Sequence, residues 1–230
     1  MSLVREELGP TLPQLARPHW ARISRAHRRL LGAALAAFVL LLAAAYAVLR
    51  SDPLETLVVR EPIAFNLIHR ADFPKVDPRP GELLRLEGVL PGKSGAKETY
   101  AVSALTVPPY RGDISSAFLG LATRKLAELQ AADPQLRYRG EGKTRINLIP
   151  GYQLTYSTRE GGRPDGRTVF GRVFWLVPEP EEEGGEQTRE GAVLALTAQF
   201  SGQVPNPTAL GSDVLLKAPL RSFRFGTERP

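Results

Sequence analysis

Hydrophobic and polar positions divide this chain into one long uncharged run and a series of short alternating segments. Residues 30–49, LLGAALAAFVLLLAAAYAVL, pass without a charge. An α-helix rising about 1.5 Å per residue needs about that length to cross a hydrocarbon core of roughly 30 Å. The run predicts a transmembrane helix. Beyond it the period falls to two: Ile63, Phe65 and Leu67 alternate with Ala64 and Asn66, as in a half-buried first strand over 62–68. Pro74, Pro78 and Pro80 make 73–81 a loop. Strands over 83–89 and 100–107 are expected to pair as a hairpin through the turn 92–95, Gly-Lys-Ser-Gly.

The period then changes to that of a helix. Ile114, Ala117, Phe118, Leu121, Leu129 and Ala132 share one face, with Arg124, Lys125 and Glu128 available to water. Asp113 is placed to cap the start, and Asp133-Pro134 ends the run. Alternation resumes over 145–149 and 151–158, where Tyr152, Leu154 and Tyr156 share a face, and 161–166, Gly-Gly-Arg-Pro-Asp-Gly, turns the chain into 168–177. That strand is apolar on both sides. Phe170, Phe174 and Leu176 alternate with Val169, Val173, Trp175 and Val177, the pattern of a central strand covered on two faces. An acidic loop over 178–190, a strand over 192–200 and a short helix about Val214, Leu215 and Leu216 complete the pattern. The fold class is α+β: an antiparallel sheet packed by one long and one short helix, after a single N-terminal span.

Charge sets the topology. Residues 1–29 hold six arginines against Glu6 and Glu7, so the tail carries +4 of the net +6 and the remaining chain only +2. Arg17, Arg22, Arg25, Arg28 and Arg29 precede the span, while Arg50 on its other side stands next to Asp52 and Glu55. The positive-inside bias keeps the N-terminus in the cytoplasm and puts the domain outside, at the plasma membrane. The expected organisation is a basic cytoplasmic tail (1–29), the span (30–49), a juxtamembrane linker (50–60) and one extracytoplasmic domain (61–230). Ala45-Tyr46-Ala47 has the small-x-small form of a signal cleavage site, which leaves secretion after cleavage as the alternative, and a buried soluble helix as a third. A basic excess confined to the tail argues against a nucleic-acid partner. With no cysteine, disulfides, thiolate metal sites and cysteine-linked lipid are excluded.

Candidate chemistry is sparse. Gly142-Lys143-Thr144 ends like a phosphate-binding loop, but Arg137 stands where that loop needs its first glycine and a strand pattern follows, so a turn into a strand is expected. Arg111-Gly112-Asp113 is read as turn and helix cap rather than an adhesion tripeptide. His69, with Asp72 nearby, is the one imidazole of the exported part, and no nucleophile elbow accompanies it. Glu181-Glu182-Glu183 reads as a solvated loop, not a calcium cage. A hydrolase would need facing carboxylates from such residues as Glu87, Glu141 or Asp165. Neither cofactor nor metal is expected. Arg145, Arg159, Arg163, Arg167 and Arg172, with Tyr152 and Tyr156, are the candidate binding surface, because arginine and tyrosine are enriched in interfaces.

The order strand, hairpin, long helix, antiparallel strands and short final helix, with Phe65 in the first strand and Leu220-Arg221-Ser222-Phe223 at the end, resembles the Mog1/PsbP-like fold over about 61–225. That fold includes membrane-anchored or exported bacterial proteins, and the resemblance implies a binding or accessory role. The expected function is a membrane-anchored, non-catalytic accessory module acting on another envelope protein. The alternatives are a binder of lipid, glycan or anionic envelope polymer, and an envelope hydrolase with a carboxylate pair. A deep pocket lined by Arg and Tyr favours the second, two acids facing across a cleft the third, and a shallow exposed apolar patch the first.

Overall fold

A computed structural model describes residues 25–50, 53–90, 95–110, 114–178, 189–201, 204–212 and 214–228. The chain divides into two compact units, Met1–Ser51 and Asp52–Pro230. The first contains helix α1 (Arg25–Arg50), which runs unbroken through the uncharged stretch. Its described side chains are those of Arg29, Leu30 and residues 32–42. Leu30, Leu35, Phe38, Val39, Leu40, Leu41 and Leu42 are all more than half exposed. Among the described residues, no helix is long and apolar enough to cross a membrane.

The second unit has three layers. Its centre is a seven-stranded antiparallel sheet, ordered β3 (Lys75–Val76), β4 (Glu82–Val89), β5 (Lys97–Thr106), β9 (Glu190–Gln199), β8 (Thr168–Leu176), β7 (Ile149–Arg159) and β6 (Arg137–Ile146). On one face lie the short helix α3 (Val214–Ser222) and a small antiparallel sheet, β1 (Leu54–Val59), β2 (Phe65–Arg70) and β10 (Arg224–Phe225). On the other lies the long helix α2 (Ser115–Ala132), packed on β6 and β7.

Two apolar clusters separate these layers, and β8 contributes to both. Phe170, Phe174 and Leu176 join Tyr100, Val102, Leu194, Leu196 and the residues of α3. Val173, Trp175 and Val177 join Leu105, Leu154, Tyr156 and the α2 residues Phe118 and Ala122. The two-sided reading of 168–177 therefore holds. Phe65 and Phe223, the marks of the resemblance, meet directly: both are fully buried with ring centroids 5.5 Å apart. Next to them the Ser222 hydroxyl accepts from the Ile68 N–H at 2.7 Å, tying α3 to β2.

Several boundaries differ from the sequence reading. Residues 54–59, read as linker, form β1, because Leu57 and Val59 pack on the core while Leu54, Thr56 and Val58 face out. The two residues of β3 lie within the proline-rich loop. The larger correction concerns 137–149. Gly140–Thr144 is not a turn but the middle of β6, and 145–149 is not one strand. Arg145 and Ile146 end β6, Asn147 and Leu148 form the turn with φ of 48° and 71°, and Ile149 starts β7. Two consecutive positive φ values are what a tight hairpin needs. Asn147 supports it by donating from its side-chain amide to the Phe223 carbonyl at 2.9 Å. Leu84 pairs with Val102 in the expected β4–β5 hairpin. The turn residues 92–94, the Asp113 cap with Arg111-Gly112, and Glu181-Glu182-Glu183 lie outside the described residues.

Candidate functional site

Helix α2 covers the β6–β7 side of its sheet face and leaves the β4–β5–β9 side of that face open. Alternation along β5 shows why. Tyr100 and Val102 point into the α3-side core, while Thr99 and Ala101 point the other way, and on β9 Leu194 and Leu196 are core where Ala195 and Thr197 are not. Those small residues, with Val169 of β8, line a trough of about 490 Å³. Its other lining includes Arg79, Glu82, Arg85 and Lys97 from the β4–β5 side and Asp133, Arg159 and Glu160 from the end of α2 and the β7–β8 connection.

The charges along the trough are mostly matched. The side chain of Arg85 is only 9% exposed and reaches Glu82 at 2.9 Å and Glu87 at 2.6 Å. Lys97 also pairs with Glu87. Burial pushes the Glu87 carboxyl up, but hydrogen bonds and charge from Lys97 and Arg85 outweigh it and hold that group below its ordinary value. At the far end Gln199 donates to Glu160 at 2.7 Å and accepts from the Lys97 N–H at 3.1 Å, linking β9 to both rims. Asp133 accepts from the Gln135 N–H at 2.9 Å and from the Thr158 hydroxyl. Arg159 donates to neutral oxygens, Thr168 Oγ1 at 3.0 Å and the Gly166 carbonyl at 3.3 Å.

Of the seven residues read as a binding surface, only Arg159 lines this trough. Tyr156 is buried in the α2-side core, where burial and the nearby Asp133 charge raise its hydroxyl above the ordinary value. Tyr152 is half-buried against the same cluster. Arg172 projects from the opposite face. It donates to Gln153 Oε1 at 2.6 and 2.9 Å and to the Leu210 carbonyl at 2.9 Å, and lies 4.7 Å from the centre of the Phe174 ring. Burial lowers its proton affinity. Arg163 pairs with Asp165 at 2.9 Å in the exposed β7–β8 connection, and Arg167 is exposed beside them. Arg145 lines a separate hollow of about 440 Å³ with Ile114, Phe118 and Pro150, near the start of α2. The seven therefore lie on two faces of the sheet and around two different hollows.

The remaining candidates also find their places. His69 is 5% exposed, with Nδ1 3.0 Å from the Arg70 carbonyl and 3.1 Å from that of Phe73, while Asp72 pairs with Arg70. Glu87 on β4 and Glu141 on β6 are five strand positions apart, about 24 Å at the usual strand spacing. A working carboxylate pair stands about 5–10 Å apart. Among the described residues, no group of three metal-ligating side chains converges. Sequence reasoning missed Arg79, Arg85, Lys97, Thr99 and Thr197. Its available signal was the alternation of large with small or polar residues on strands 97–106 and 190–199.

No protein-family model and no curated protein sequence matches this chain. Solved structures similar to it include cyanobacterial PsbP from Synechocystis, 12% identical, with a TM-score of 0.49 over 76% of this chain and 94% of that one. They also include LpqN of Mycobacterium tuberculosis, a protein involved in cell envelope biogenesis, 12% identical, with a TM-score of 0.43 over 79% of this chain and 94% of that one. A PsbP thus stands among the structures to which this chain is similar.

Proposed function

We propose that this chain is a single-pass, membrane-anchored accessory module of the cell envelope. Its domain recognises another envelope protein through the trough and performs no catalysis. The observation that carries this reading is the open half of the α2-side face. A sheet floor of small residues, with Thr99 and Ala101 buried at its base and Ala195 and Thr197 part-exposed, lines an open trough while the same face is sealed by apolar packing a few strands away. A folded domain leaves such a concave surface bare where something else is to lie on it. The acids along it support binding over hydrolysis: Glu82 is paired with Arg85, and Asp133 and Glu160 are held by neutral donors.

The anchor is supported by the uncharged run 30–49 lying within one continuous helix that bears exposed leucines, and its direction by the arginines before it. A protease added outside spheroplasts is expected to digest the domain, and full protection overturns that orientation. The recognition reading is tested by photocrosslinking in cells from Val169, in the trough, and from Arg124, on the exposed side of α2. A discrete protein adduct from Val169 and none from Arg124 is the expected result. Adducts to lipid or glycan alone, or equal adducts from both positions, overturn it.

A further inference from the structure

We infer that the element recognised in the trough is an extended, acidic segment of the partner protein, an inference that rests on the partner-binding reading above. The floor sets the shape of the ligand. Val169, Ala195 and Thr197 are part-exposed with short side chains above the buried Thr99 and Ala101, so a polypeptide backbone can approach the sheet closely there. No aromatic residue is among the lining, so the trough offers no face on which a sugar ring or a base could stack. An open channel of about 490 Å³ is within the usual range of ligand sites, about 300–1,000 Å³.

The charges set its chemistry. Arg85 and Lys97 are already matched by Glu82 and Glu87. Two guanidinium groups are not. Arg159 touches only a carbonyl and a hydroxyl, and the Arg79 guanidinium meets no acceptor among the described residues, although its backbone N–H is fixed by Glu82 at 2.9 Å. A guanidinium is a rigid fork of donors that fits a carboxylate with two parallel hydrogen bonds. The two trough acids that meet no cationic partner among the described residues, Asp133 and Glu160, accept from Thr158, the Gln135 N–H and Gln199. Their remaining acceptor capacity suits backbone N–H groups, which an extended segment supplies along its edge. Arg79 and Arg159 thus take the acidic side chains, and the carboxylates take main-chain donors.

The test uses the full chain in lipid nanodiscs and two fluorescein-labelled probes carrying equal numbers of carboxylates, a decapeptide of alternating Glu and Ser and an oligogalacturonate. Fluorescence anisotropy is expected to show saturable binding of the peptide, weakened about tenfold by Arg79→Ala and again by Arg159→Ala, the loss of one charge-assisted contact each. Arg163→Ala, outside the trough, is expected to change nothing. The Arg79 side chain makes no hydrogen bond or ion pair among the described residues, so its substitution reports on binding even if Arg159→Ala loosens its connection. No peptide binding, unchanged affinity in both variants, or preferential binding of the galacturonate overturns the inference. A protein crosslink from Val169 together with no peptide binding would leave the partner reading standing and remove only the acidic class. Arg79-dependent peptide binding without any crosslink in cells would do the reverse.

Discussion

Tyr156 lies directly across the β7–β8 ladder from Gly171, and a Cβ built on that glycine would clash with the Cζ end of the Tyr156 ring. The tyrosine therefore occupies the volume that the glycine leaves empty, under α2 in a cluster with Trp175, Leu154 and Phe118. Gly171→Ala must push the ring off its seat, and overpacking of this kind costs about 1–3 kcal/mol. Tyr156→Ala empties a site that is 9% exposed and costs about 3 kcal/mol or more, as large-to-small aromatic changes in cores do. The double variant separates packing from chance. Once the ring is gone, the added methyl group has room, so Gly171→Ala in the Tyr156→Ala background is expected to cost little, leaving a coupling of about 2 kcal/mol. Urea unfolding of the full chain in detergent, followed by Trp fluorescence, measures all four corners, because Trp175 is 3% exposed in the same cluster. Additive effects, or a Gly171→Ala change without cost, would refute the interlock and return Tyr156 to the binding surface.

Two further outcomes follow from buried and strained positions. Burial raises the Tyr100 hydroxyl well above 10, and it has no hydrogen-bond partner among the described residues. The unfolded chain releases that proton near pH 10 while the folded one keeps it, so the stability present below pH 10 is lost as pH rises, by about 1.4 kcal/mol per pH unit. Tyr100→Phe is expected to gain about 1 kcal/mol at neutral pH and to flatten that alkaline slope, as read from urea midpoints; an unchanged slope contradicts it. Leu148 is 78% exposed at a φ of 71°, so Leu148→Gly gives up little burial and relieves a left-handed strain of about 1 kcal/mol. A gain in thermal midpoint is expected, and a loss would show that the leucine side chain holds the hairpin.

The elements that sequence displayed best were those with one dominant period. Strand β8 was legible because both faces are apolar, and α2 because its stripe recurs at helical spacing. Even there, Ala132 is exposed and Ala122, outside the expected stripe, is fully buried. Strand β6 was hidden because it stands at the sheet edge. A bulge at Tyr138–Gly140 sends Arg137 and Arg139 to one face and Glu141, Lys143 and Arg145 to the other, so both faces carry charge, and among its residues only Ile146 is buried. Such charges keep an edge from pairing with other chains, and they also erase the apolar alternation by which a strand is recognised. The hairpin after it was hidden for a second reason: Asn147-Leu148 adopts two positive φ values without the glycine that normally announces them.

The site was less legible than the fold because arginine and tyrosine near one another in sequence need not share a surface. Along β7 and β8 the side chains alternate between two faces, so Tyr156 is sent under α2 and Arg172, paired opposite Thr155, to the other side. The trough is assembled across the sheet instead, from β4, β5, β9 and the β7–β8 connection, residues as far apart in sequence as Arg79 and Gln199 that the paired strands bring together. Gln199 shows the point in one side chain. Its amide carbonyl holds the Lys97 N–H at one rim, and its NH₂ holds Glu160 at the other. No local pattern marks such a residue, because its role depends on what β5 and the β7–β8 connection place on either side of it. What sequence did carry was the vacancy: wherever β5 and β9 place a large apolar residue toward α3, they place a small or polar one toward the trough. A face left without bulk in strands otherwise built to be covered is the physical trace of the trough, the feature on which the proposed recognition rests.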